Sequence, residues 1–140
     1  MSLKLQDLWF SACSADRADI DGFDVALAIR MEIDAIAIEA SDQQVGVELT
    51  LLFAILRQSD EEVMCEATAS FEIAYAQQNA VYPGHYMVTG YTLRDVWPVW
   101  RHWLLQTLVV MNIPAPGIPV TLPGYLIRVG AEMLGRSSGR

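Results

Sequence analysis

The sequence predicts an α+β domain: a four-stranded antiparallel sheet, then a long helix packed on one of its faces, then a short C-terminal helix. Three observations carry that reading. Two long runs of alternating apolar and polar residues, between Val45 and Ala76, flank a short polar turn. The stretch Thr92 to Met111 repeats apolar residues at spacings of three and four and holds three of the four tryptophans. Four prolines between Ile113 and Pro123 then prevent either pattern from continuing. At 140 residues the chain reads as one domain, residues 1–140, long enough to bury a core.

The strands are expected over about residues 4–76. Lys4 to Ala15 is rich in aromatic and small residues and reads as a first strand, although apolar residues fall on both parities. Asp19 to Asp24, with Gly22, reads as a loop. From Ala26 alternation sets in, with Ile29, Met31 and Ile33 opposed to Arg30, Glu32 and Asp34. Ile36 and Ile38 then change parity, which predicts a bulge near Asp34–Ala35. Helix is the alternative for Val25 to Glu39, because Ala, Met and Glu all favour it. Val45, Val47, Leu49, Leu51, Phe53 and Ile55 form the clearest strand. Gln58–Glu61 turns the chain, and Val63, Cys65, Ala67, Ala69, Phe71, Ile73 and Tyr75 alternate in the returning strand. Glu48, Glu66 and Glu72, with Glu32 and Asp34, would share the polar face, either as a docking surface or as ordinary solvated carboxylates.

Gln77 to Gly90 reads as a link around Pro83–Gly84. The long helix is expected over about 92–111, capped by Thr92 with Asp95 three residues on. Leu93, Val96, Trp97, Trp100, Trp103 (or Leu104), Leu108 and Met111 make its apolar stripe, and Val99, Leu105, Val109 and Val110 fall off it. Apolar residues on several sides predict burial on several sides, between layers or between subunits. Pro98 removes one helical hydrogen bond at a cost of about 3 kcal/mol and predicts a kink. A stiff loop over 112–123, a short helix over about 124–134 and a loose tail from Gly135 complete the chain.

Composition narrows the function. Apolar residues make up 53% and charged residues 19%, an excess suited to a subunit interface or an apolar ligand. The net charge of −8 disfavours nucleic acid and anionic membrane. No apolar run approaches the roughly 18 residues of a membrane span, and no basic-then-apolar leader opens the chain, so a cytoplasmic location is expected. Cys13 and Cys65 lack a CxxC partner and read as two reduced, apolar core residues. His85 and His102 sit in no cluster with metal-ligand spacing, and no nucleophile elbow or phosphate loop occurs. Neither an enzyme nor a cofactor or metal is expected.

The order of elements, together with three local patterns, resembles the SecB family of export chaperones. Trp97-Pro98-Val99-Trp100-Arg101 is similar to the family's aromatic-Pro-aromatic-x-Arg motif, with the second aromatic moved by one place. Ile113 to Pro123 looks like its apolar, proline-bearing segment, and Asp60-Glu61-Glu62-Val63-Met64-Cys65-Glu66 resembles its acidic hairpin turn. The turn lacks the family's glycine, and the tail is basic where many members end acidic. The resemblance implies a tetramer, a dimer of dimers, with helices layered between sheets made by pairing subunits. It implies no catalysis, but the holding of unfolded or precursor proteins on apolar grooves and docking of the translocation motor SecA on an acidic surface. Carried over by position, the polypeptide-binding groove would use Trp97, Trp100, Ile113, Ile118, Val120 and Leu122. The docking face would use Glu48, Asp60, Glu61 and Glu66. Divergent members serve other clients, including antitoxins. The rival reading is a small apolar-ligand module whose tryptophans line an internal cavity.

Overall fold

The structure is a computed structural model, and it describes residues 3–17, 27–77, 81–113 and 117–138. Four strands, β1 (Leu3–Arg17), β2 (Leu27–Ala40), β3 (Gln44–Arg57) and β4 (Val63–Gln77), precede two helices, α1 (His85–Val110) and α2 (Tyr125–Ser138). Every strand pairing is antiparallel, in the order β1-β4-β3-β2, so the first and second strands form the two edges. The loop expected at Asp19–Asp24 lies outside the described residues.

The β3–β4 hairpin follows the alternation. Val45, Val47, Leu49, Leu51, Phe53 and Ile55 are buried together with Cys65, Ala67, Ala69, Phe71, Ile73 and Tyr75 on the helix-covered face. Segment 27–40 is a strand and not the alternative helix, and its register shifts between Ile33 and Ala35, where the parity change predicts a bulge. The mixed parity of β1 has the same origin. Shifts at Leu5/Asp7 and at Phe10/Ala12 turn Phe10 toward the helix side, against Phe71 and Trp103 (ring centroids 4.8 and 5.5 Å). Trp9 is left on the other face, 61% exposed. Cys13 of the same edge strand is exposed where a core residue is expected, whereas Cys65 is buried.

The helix starts earlier than the sequence suggests. Thr92 is no cap; it is buried inside α1, which begins at His85 after Gly84. Gly84 has φ 105°, a backbone turn that favours glycine, and its carbonyl accepts the Val88 amide at 3.1 Å. A side-chain cap contributes only about 1 kcal/mol. The packing of Val88, Thr89 and Gly90 outweighs that, since all three are buried in the added turns. The predicted stripe holds at Leu93, Val96, Trp97, Trp100, Leu104 and Leu108, while the exposed Pro98 sits within the helix on its outer side. The C-terminus is a Schellman turn: Asn112, at φ 57°, donates to the Val109 carbonyl and Ile113 to that of Leu108. Arg17 of β1 adds a guanidinium hydrogen bond to the Met111 carbonyl at 2.7 Å.

The last helix is longer than expected. Residues assigned to a tail continue α2 through Ser138, with Arg136 in the final turn, where a cation suits the helix dipole. Gly135 does not end it, because a helical glycine costs only about 1 kcal/mol.

Candidate functional site

The residues expected to line a groove come together, but most of them are packed away. Trp97 and Trp100 meet edge to face with ring centroids 5.6 Å apart, and Trp100 is fully buried. Residues 117–123 of the proline-bearing segment strap across them. The Trp97 indole N–H donates to the Val120 carbonyl at 3.0 Å, and Arg101 Nε donates to the Pro119 carbonyl at 2.9 Å. Proline-rich chain has spare carbonyls and few amides, so donors on the helix hold it in place. Among the described residues of the segment, Ile113 and Ile118 are buried and Leu122 is half-buried, while Val120 is 76% exposed.

The four expected docking carboxylates do not form one patch. Glu66 lies near the hairpin end of β4, with Asp60 and Glu61 at the turn itself. Glu48 pairs with Ala37 and Glu72, six residues along β3 from the position opposite Glu66, or about 20 Å away. The turn is acidic and only partly neutralised, one guanidinium facing three carboxylates. Arg57 Nη1 stands 3.1 Å from Asp60 and 3.2 Å from Glu62. Glu61 takes φ 58° there, the left-handed geometry for which a glycine is the easier residue.

Two features of the surface were not read from the sequence. On the uncovered face a row Trp9–Glu72–Glu48–Ala37 crosses all four strands. It borders a trough of about 390 Å³ floored by Gly46 and Ala74. The β1 bulges hid Trp9 from a parity argument. The second feature is an apolar pocket of about 310 Å³ at the β2 edge. It is lined by Ile36, Ala37, Ile38 and Ala40 of that strand with Tyr82, His85 and Leu134. The Tyr82 hydroxyl and His85 Nδ1 lie 2.9 Å apart with their rings edge to face. Burial raises the Tyr82 phenol above its ordinary range, which keeps it neutral. Of the cluster Tyr82, His85, Tyr86 and Met87 around Pro83–Gly84, only Tyr82 and His85 reach it, so the sequence carried a partial signal.

Catalytic chemistry finds little support in these groups. Among the described residues no cluster of three His, Cys, Asp or Glu side chains could hold a metal ion. Burial raises the Cys65 thiol above its usual range, against the opposing effect of Arg17, so its thiolate is disfavoured. Among the described residues no helix is long and apolar enough to cross a membrane.

No family model matches the sequence, and no curated protein matches it in sequence either. Structure is more informative. The chain is similar to the SecB-like chaperone Rv1957 of Mycobacterium tuberculosis, solved in complex with a ChAD peptide from the Rv1956 HigA1 antitoxin. The TM-score is 0.68 at 13% identity, over 87% of this chain and 92% of that one. The resemblance read from three short motifs therefore extends to the whole arrangement of strands and helices, and the fold of this chain is SecB-like.

Proposed function

We propose that this protein is a chaperone-like holder of extended, non-native polypeptide, with no catalytic step. The observation that carries the reading is the pairing of a SecB-like fold with apolar surface left open on it: the β2-edge pocket, Val120, and Val99, Val109 and Val110 on α1. Surfaces of that kind suit partners that expose side chains in no fixed order. Trp97, Trp100, Ile113 and Ile118 serve as the packed floor, and Val120 and Leu122 as its accessible rim. A dedicated client is the second reading, favoured because the similar chaperone was solved with an antitoxin peptide. In an export role, SecA would meet carboxylates divided between the hairpin end (Asp60, Glu61, Glu66) and the Glu48–Glu72 row.

Light scattering of an unfolded, reduced model protein diluted into buffer tests the holding function. Added at one assembly per chain, the protein should keep the substrate soluble in a binding-competent state. Aggregation at the unassisted rate, with selective stabilisation by one small apolar compound, would favour the ligand-module rival instead.

A further inference from the structure

The segment that crosses Trp97 is held by few bonds. Among the described residues, no amide or carbonyl of 117–122 joins a backbone–backbone hydrogen bond. Its polar anchors are two side-chain donors on α1: Trp97 Nε1 to the Val120 carbonyl and Arg101 Nε to the Pro119 carbonyl. Its best-buried side chain is Ile118, 7% exposed. Gly117 and Gly124 bracket it, and a Cβ on either would meet nothing within 4 Å, so the chain can swing at both ends without a clash. A stretch with no backbone ladder and few buried side chains opens at lower free energy than the helices and sheet around it. Against Trp97, the Trp100 indole N–H is fully buried and has no acceptor among the described residues. That unsatisfied donor disfavours the covered arrangement relative to an opened, hydrated one.

We propose that residues 117–123 form an autoinhibitory strap: the chain lays its own apolar segment over Trp97 and Arg101, and a foreign polypeptide is held there only once the strap lifts. This strap presupposes the holding function proposed above and regulates its site. What makes it a stand-in for a client is the way it is gripped. Trp97 and Arg101 stand one helical turn apart on α1, and both donate to main-chain oxygens of the strap, not to side chains. Every extended polypeptide offers such oxygens whatever its sequence, so the same two donors fit a foreign chain. A helix has its carbonyls bonded to its own amides, and an apolar compound offers these donors no acceptor. Ile118, Val120 and Leu122 supply the apolar side chains a non-native client would bring. Pro119 and Pro123 have no amide with which to pair elsewhere, so nothing fixes the strap in a strand. Because it is tethered, the strap wins over a weak client by effective concentration and yields to one that covers more apolar surface.

The test uses the full-length protein and a fluorescein-labelled, reduced and carboxymethylated lactalbumin as the unfolded probe. Ile118→Ala trims the strap's buried anchor and leaves both donors on α1 in place. By raising the open fraction it should tighten probe binding roughly tenfold and speed hydrogen exchange at the Trp97 indole N–H by a similar factor. Weaker binding with faster exchange would make the strap a wall of the site and overturn the proposal. Unchanged exchange would overturn it too, since the strap would then not open as a unit. A nitroxide on Val120→Cys, in a Cys13→Ser background with Cys65 buried, follows the strap with its anchors intact. Its spectrum should sharpen as saturating probe displaces the strap. Should Ile118→Ala fail to fold, the nitroxide decides alone. A label immobilised or left unaffected by bound probe would overturn autoinhibition while leaving the holding function standing. No binding by either the native protein or Ile118→Ala would overturn both.

Discussion

Glu48 and Glu72 stand directly opposite one another on the uncovered face, in a pair without ladder hydrogen bonds, where side chains approach closely. Like charges in that position oppose folding, so Glu48→Lys should stabilise the protein by about 0.2–1 kcal/mol in urea unfolding. A loss instead would place Glu48 in a favourable interaction that the sheet register does not reveal. Tyr75 presents the opposite situation, a polar group with its need met in the core. Its hydroxyl donates to Asp95 at 2.7 Å and ties β4 to α1. Burial first, and then that hydrogen bond, push the phenol far above its ordinary range. Its stabilising effect is therefore complete below the unfolded phenol's pKa of about 10 and fades as pH climbs beyond it, because only the unfolded chain releases the proton. Tyr75→Phe should cost about 1–2 kcal/mol at neutral pH. From about pH 10 to 11 it should also lose stability less steeply than the wild type, as alkaline denaturation midpoints would record. Parallel curves would mean that Tyr75 ionises equally well when folded.

At the scale of elements, what could be read from the sequence depended on whether a single term dominated. From Val45 to Phe53 in β3 and from Cys65 to Tyr75 in β4 a period of two and burial of one face agree, and the strands lie where alternation put them. The same period located the β2 bulge, since only an inserted residue explains Ile33 and Ile36 both being buried. The two shifts in β1 defeat the argument, because three short segments cannot each display a period. Helix α1 was legible along its stripe and not at its start, where packing against α2 outweighs a weak capping signal. That packing is close. A Cβ on Gly130 would lie 2.7 Å from Thr89 Cγ2 and 2.8 Å from Ile33 Cδ1, and Gly90 faces Ile127 on the same seam. The Ile33 tip can swing aside, but the β-branched Thr89 in a helix has little freedom. Gly130→Val should therefore cost about 1–3 kcal/mol and raise protease sensitivity in α2 ahead of the sheet. Wild-type stability in that variant would show that α2 shifts on the sheet without penalty. The β2-edge pocket was hidden for a related reason, since its walls come from three separate stretches, β2 (Ile36, Ala37, Ile38, Ala40), Tyr82 with His85, and Leu134, which only the fold brings together.

The whole molecule leaves a second edge to account for. The Gln77 amide donates to the Gln43 carbonyl, so the odd-numbered residues of β4 face β3 and the even-numbered ones face β1. Cys13, opposite Ala69, consequently turns its N–H and C=O outward, as do Leu8 and Phe10, opposite Ile73 and Phe71. From Leu8 to Ala15 this edge has no charge, no proline and no lysine, the devices by which soluble sheets ward off another strand. Edge β2, by contrast, carries Arg30, Glu32, Asp34 and Glu39 and lies under α2. A tetramer such as the resemblance implies would have two surfaces to use: the bare β1 edge, which would join two sheets, and the outer stripe of α1, where Val109 and Val110 are 76% and 85% exposed. Cys13→Pro separates them. It removes one outward amide while sparing the β1–β4 ladder, and so should halve the mass seen by light scattering at micromolar concentration without melting the protomer. An assembly of undiminished mass would remove β1 from the interface and leave α1 to hold the subunits together.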